Sequence, residues 1–134
     1  THRQHAQSLQ LLTAQARDGD AEHDWAALAR PGKTLTFYMG VSGLARLRDR
    51  LIAHGLAGAT PCALIEHGSR PQQRVVSGQV SELPLLARSF AVQSPSLLVI
   101  GEVAAFAQRL HWFGRAPLTR LDAGCTGTHI ADAA

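Results

Sequence analysis

Two glycine-bearing stretches carry residue types from which a ligand site can be built. Tyr38-Met39-Gly40-Val41-Ser42-Gly43 holds the chain's single methionine between an aromatic residue and two glycines. Glu66-His67-Gly68-Ser69-Arg70 sets a glycine among an acid, an imidazole, a hydroxyl and a guanidinium. Glycine lets a flat ligand approach the backbone, whose amides can read the ligand's edge. A thioether offers an aromatic ring a polarizable, adaptable surface. Together they suit the binding of a flat, aromatic ligand. From the residues alone a plainer reading stays open: Met39 fills core space and the glycines only turn the chain. Arg3, Arg70 and Arg74 are candidate forks for carboxylates, and equally candidates for solvated surface.

Other chemistries find less support. Gly40-x-x-Gly43 lacks the spacing of a dinucleotide fingerprint, and no acidic residue follows at the distance that motif needs. His2 and His5 stand three apart without an acid or cysteine at ligand spacing, and the other five histidines are scattered, so no metal is expected. No Gly-x-Ser-x-Gly elbow marks a nucleophilic serine. Ser42 is better used as a helix cap, and no catalytic residue is nominated.

The elements that must position these stretches follow from the apolar pattern. Strands are expected at Thr34–Tyr38, Cys62–Glu66, Gln73–Ser77 and Leu97–Ile100, with a fifth at Ser8–Thr13. The second and third, joined by the stretch His67 to Gln72, are placed to form a hairpin. Leu44, Leu47, Leu51 and Ile52 make the stripe of one helix, started by Ser42 and ended by Gly55. Ser81-Glu82-Leu83-Pro84 announces a second, with Leu83, Leu86, Ala87 and Phe90 as its stripe. A third carries Val103, Phe106, Ala107 and Leu110 and stops near Gly114. A short helix over Asp24–Ala29, capped by Asp24, precedes the Pro31-Gly32 turn. Strands alternating with helices predict an α/β fold: a mixed sheet of about five strands flanked by helices. In such sheets ligands gather at the carboxyl ends of strands, where both glycine-bearing stretches fall. Residues 114–134 are expected to be a poorly ordered tail.

Composition sets the outer bounds. The 134 residues suit one domain, and 46% hydrophobic against 17% charged residues reads as globular. No apolar run approaches the ~20 residues of a membrane helix, and no leader sequence opens the chain. The start on Thr-His-Arg is expected to lie inside a longer protein. Cys62 and Cys125 form no metal or redox spacing, which fits a reduced, cytoplasmic setting. A formal charge of +3 suits an anionic ligand without requiring one. No basic run with interleaved aromatics supports nucleic-acid binding.

Read at length, the stretches go further. "TLTFYMGVSGLARLRDRLIAHGL", "TPCALIEHGSRPQQRVVSGQVSELPLLA", "SPSLLVIGEVAAF" and "LHWF" resemble, in order and spacing, the uroporphyrinogen-III C-methyltransferases. These are the methylating module of siroheme synthases, within the tetrapyrrole methylase family. The opening "THRQHAQS" resembles that family's entry to its second domain. The resemblance covers Thr1 to about Phe113 and implies the second of two α/β domains, with S-adenosylmethionine held between them. It implies cofactor contacts from Met39, of the Tyr-Met-Gly motif, and from Gly68, of the Glu-x-Gly-Thr motif. Tyr38 and Gly40 are their neighbours in the pocket. It further implies a tetrapyrrole substrate whose carboxylates Arg3, Arg70 and Arg74 would grip, a homodimer, and no activity from this piece alone. The Pro-Gly-Asp segment, the Thr-Ala pair and the proposed acid/base residues of the family's first domain do not occur here. Gln4 and His5 replace a usual Asp-Tyr, Ser69 a usual Thr, and the charged segment before Trp112-Phe113 is thin. Related precorrin, RNA or protein methylases, and a dimerisation module without a ligand, are the alternatives.

Overall fold

The structure is a computed structural model that describes residues 2–14, 23–38, 41–111 and 113–123. Five strands form one sheet: β1 (Ser8–Thr13), β2 (Lys33–Tyr38), β3 (Pro61–Glu66), β4 (Arg74–Gln79) and β5 (Ser96–Ile100). Their spatial order is β1-β2-β5-β3-β4. The β1–β2 pair is parallel, and the other three pairs are antiparallel. All five expected strands are present within a residue or two of their expected bounds, and β3 and β4 do pair as a hairpin.

Because side chains alternate across a strand, the register sorts the sheet into two faces. Leu35 and Phe37 of β2 align with Ile100 and Leu98 of β5, these with Cys62 and Leu64 of β3, and Leu64 with Val76 of β4. This face is the core. It is covered by α1 (Trp25–Leu28), α2 (Leu44–Ala53) and α3 (Leu83–Ser89), through Leu28, through Leu44, Leu47 and Leu51, and through Leu83, Leu86 and Ala87. Each of these leucines contributes about 1.5–3 kcal/mol by leaving water. At Gly78, β4 lies close under α3: a methyl group on it would lie 2.5 Å from Leu86 Cδ1.

Several local expectations are met by a different device. Asp24 caps α1 as expected, its Oδ1 accepting the Ala27 N–H at 2.9 Å. Ser42 instead lies inside a 3-10 turn, Val41–Gly43, and α2 starts after Gly43 with no side-chain cap. Ile52, at the edge of the stripe, is exposed. The third expected helix begins as a 3-10 turn, Glu102–Phe106, and becomes α4 only over Ala107–Leu110. Within the stretch expected to be a poorly ordered tail, residues 114–123 make backbone contacts. Leu118 bridges to Val76, its amide donating to the Val75 carbonyl and its carbonyl accepting from Ser77, and α5 follows at Arg120–Ala123. An edge strand with unpaired backbone groups gives that stretch partners its composition does not reveal. Residues 124–134 lie outside the described residues.

No helix among the described residues is long and apolar enough to cross a membrane.

Candidate functional site

Strands β2 and β3 run in one direction and both are antiparallel to β5, which lies between them. Their carboxyl ends therefore meet at one edge of the sheet. Tyr38, Leu97 and Ile65 form a single cross-strand row there. Two strand spacings of ~4.8 Å separate β2 from β3, so the loops leaving them start roughly 10 Å apart. Tyr38 is 47% exposed at the end of β2. Met39 and Gly40 lie outside the described residues.

The loop after β3 is held from both sides. The His67 N–H donates to the Pro95 carbonyl at 3.1 Å, and the Arg70 N–H donates back to the His67 carbonyl at 3.0 Å. Gln73 Oε1 accepts the Ser69 N–H at 2.7 Å, while Ser69 Oγ donates to the Gly68 carbonyl at 2.6 Å. Within this brace Gly68 has no positive φ. A methyl group on it would touch only Ile65 Cγ2, at an ordinary 3.6 Å. The fold does not require glycine here, unlike at Gly78. What remains is a short stretch of backbone left bare toward solvent.

Beneath the loop sits a group that sequence reasoning passed over. Glu66, only 4% exposed, accepts the Gln93 N–H at 2.6 Å through Oε1 and the Arg74 Nε–H through Oε2. Burial alone would push this carboxyl up. The Arg74 hydrogen bond, the Gln93 amide and the charges of Arg74 and His67 outweigh it and hold it below the usual carboxylate value. The signal was available: Glu66 ends one arm of the hairpin and Arg74 opens the other, in register.

The three arginines thus occupy different situations. Arg70 is exposed on the loop beside Gly68, and Arg3 is exposed in the N-terminal turn whose His2 and His5 rings pack on Phe106. Arg74 is engaged by Glu66, with Nη2 also directed at the Ala91 carbonyl at 3.5 Å. Cys62 offers no nucleophile: burial pushes its thiol up to about 12, with the Glu82 charge adding and a Gly78 backbone hydrogen bond opposing.

The face of the sheet opposite the core is only partly covered. Ala63, Ile65, Val75 and Val99 floor a groove of about 560 Å³, walled by the turn and helix carrying Val103 and Phe106. Leu9 and Leu11 of β1 align with Thr34 and Thr36 on this face, and Leu11 is 63% exposed.

Residues 1–84 match the family described as Tetrapyrrole (Corrin/Porphyrin) Methylases. The chain belongs to the tetrapyrrole methylase family. It is similar to a siroheme synthase of Xylella fastidiosa (strain M12), 54% identical over 119 residues, which are 89% of this chain and 25% of that protein. Siroheme synthase 1 of Aeromonas hydrophila is 48% identical over 116 residues, 87% of this chain and 25% of that protein. Among solved structures, it resembles a uroporphyrin-III C-methyl transferase from Thermus thermophilus complexed with S-adenyl homocysteine. That match is 28% identical with a TM-score of 0.67, covering 80% of this chain and 46% of the other. A cobalt precorrin-4 methyltransferase, 18% identical with a TM-score of 0.66, shares the fold over 75% of this chain and 43% of its own. This tetrapyrrole methylase chain spans about a quarter of the length of the curated relatives it matches.

Proposed function

We propose that residues 1–113 are the second domain of a uroporphyrinogen-III C-methyltransferase and supply one side of its S-adenosylmethionine cleft. The observation that carries this reading is the pairing of two strand ends at one edge with a glycine, Gly68, that the fold itself does not need. In this reading Gly68 and the Tyr38-Met39-Gly40 tip are the holding residues, from loops that start close enough for a nucleoside to bridge. The cofactor, when bound, supplies a methyl group already activated by positive sulfur, for transfer to uroporphyrinogen III on the way to precorrin-2 and siroheme. The chain's own task is orientation, a contribution that reaches ~7–11 kcal/mol when a site is complete. It contains no residue that we assign as acid or base, so the isolated chain is expected not to turn over. Arg70 and Arg3, exposed near the edge and in the N-terminal turn, are proposed to hold carboxylates of the tetrapyrrole.

For the whole protein we propose a cytoplasmic homodimer with no nucleic-acid partner. The exposed Leu9 and Leu11 of β1, on the back of the sheet, support a second copy as their cover. Calorimetric titration of S-adenosylhomocysteine into the full-length protein tests the cofactor reading. Gly68→Ala is expected to weaken binding at least about tenfold, equivalent to roughly 1.4 kcal/mol. Equal affinity in the variant would end the assignment.

A further inference from the structure

Among the described residues, three non-glycine residues have positive φ: His67 (47°), Ser69 (63°) and Ala91 (47°). Each holds a backbone conformation that L side chains rarely adopt, and its surroundings must stabilise it. All three fall in two loops, the one after β3 and the one before β5. One buried carboxylate joins those loops. Glu66 Oε1 accepts the Gln93 N–H at 2.6 Å, Oε2 accepts Arg74 Nε–H, and Arg74 Nη2 faces the Ala91 carbonyl at 3.5 Å. The His67 N–H closes the ring of contacts on the Pro95 carbonyl at 3.1 Å.

A charged clasp at this point has a definite use. The paired ladder of β3 and β5 ends at Glu66 and Ser96, and beyond that row the bond from His67 N–H to the Pro95 carbonyl is the backbone link between the loops. A buried carboxylate with two oriented donors can fix them, since charge-assisted bonds are shorter and stronger than neutral ones. The fork of Arg74 reaches Glu66, where the first loop begins, and the Ala91 carbonyl of the second, which the point charge of a lysine cannot do.

We propose that Glu66 and Arg74 are positioning residues for the site, locking the loop of Gly68 and the loop of Ala91 into one rigid edge. This rests on the cofactor reading above, and it gives Arg74 a task other than gripping substrate. Neither residue touches the reacting atoms; they act through Gly68.

The test uses the full-length protein with Glu66→Gln and Arg74→Lys, singly and together. Hydrogen exchange is read first, because it needs no ligand. Faster exchange of amides in residues 67–73 and 91–95 together supports the clasp, and loosening of one loop alone or of neither overturns it. Affinity for S-adenosylhomocysteine is read second. Each single variant is expected to bind about tenfold more weakly, and the double variant no worse than the weaker single, since both break one unit. The Michaelis constant for the methyl donor should rise while that for the tetrapyrrole stays put. A rise confined to the tetrapyrrole in Arg74→Lys would overturn the proposal in favour of a substrate grip. Should the wild type bind no S-adenosylhomocysteine, the cofactor reading fails by itself and the exchange result still decides the clasp. Should Glu66→Gln not fold, Arg74→Lys alone supplies both readouts.

Discussion

Gly78 and Gly68 lie ten residues apart, on and beside the same hairpin, and alanine should separate their roles. At Gly78 the added methyl would stand 2.5 Å from Leu86 Cδ1 and 3.4 Å from Cδ2, against an ordinary carbon contact of about 3.5–4.0 Å. Leu86 is buried among Leu64, Val76 and Leu83, so it cannot swing into solvent, and α3 must move off β4 by about 1 Å. Overpacking of this kind costs about 1–3 kcal/mol. Loss of glycine's excess chain entropy returns about 0.5–1 kcal/mol. The net expectation is a destabilisation of about 1–2 kcal/mol, and at an m-value of about 1.5 kcal/mol/M the urea midpoint falls by about 1 M. At Gly68 the same methyl meets Ile65 Cγ2 at 3.6 Å, and φ is not positive. Its stability should stay within about 0.5 kcal/mol of the parent's. The assay is equilibrium urea unfolding of the 134-residue chain followed by circular dichroism. Equal midpoints for the two variants would refute the distinction between a glycine the fold needs and one left for a ligand.

Two more expectations follow from the clasp and the open face. The folded Glu66 carboxyl lies below its ordinary value of 4.5, so the stability it confers is present above about pH 4.5 and is lost as pH falls through the folded value. Glu66→Gln should therefore lower the urea midpoint at pH 7 by an amount equivalent to about 1–2 kcal/mol. That is the lower part of the range for a charged hydrogen bond, because Arg74 is partly exposed. The difference from wild type should shrink toward pH 3, and a gap independent of pH would sink the assignment of charge. Leu11→Ser, at a position 63% exposed, should leave the monomer's stability within about 0.5 kcal/mol. It should shift full-length protein from dimer toward monomer in sedimentation velocity, and an unchanged distribution would exclude this face as the contact.

The sheet was legible because its information is local and periodic. Leu35 and Phe37, Leu64, Leu98 and Ile100 sit at alternate positions in short runs between turn residues, and those runs became the central strands. Helix starts were less so. Ser42 and Ser81 look like caps by residue type, yet both fall inside 3-10 turns, with no side-chain cap at the start of either following helix. The stretch from Pro117 to Ala123 reads as tail because its partner, the edge of β4, lies forty residues away in sequence.

The site divides along the same line. Residue types marked both glycine-bearing stretches, and strand order then brought the ends of β2 and β3 to one edge, something no window of sequence contains. The contrast between Gly68 and Gly78 is likewise invisible in one dimension, since both are glycines between polar neighbours on one hairpin. Only the position of Leu86 makes one of them obligatory. Glu66 is the instructive omission. As the last residue of an apolar run it carries no mark of burial, but the hairpin register sets it opposite Arg74, and the loop before β5 folds its Gln93 amide over the other oxygen. A carboxylate buried with two partners from separate segments is a three-body arrangement. Its cost falls on whichever segment loses register first, which is why its removal should loosen both loops before it unfolds the sheet.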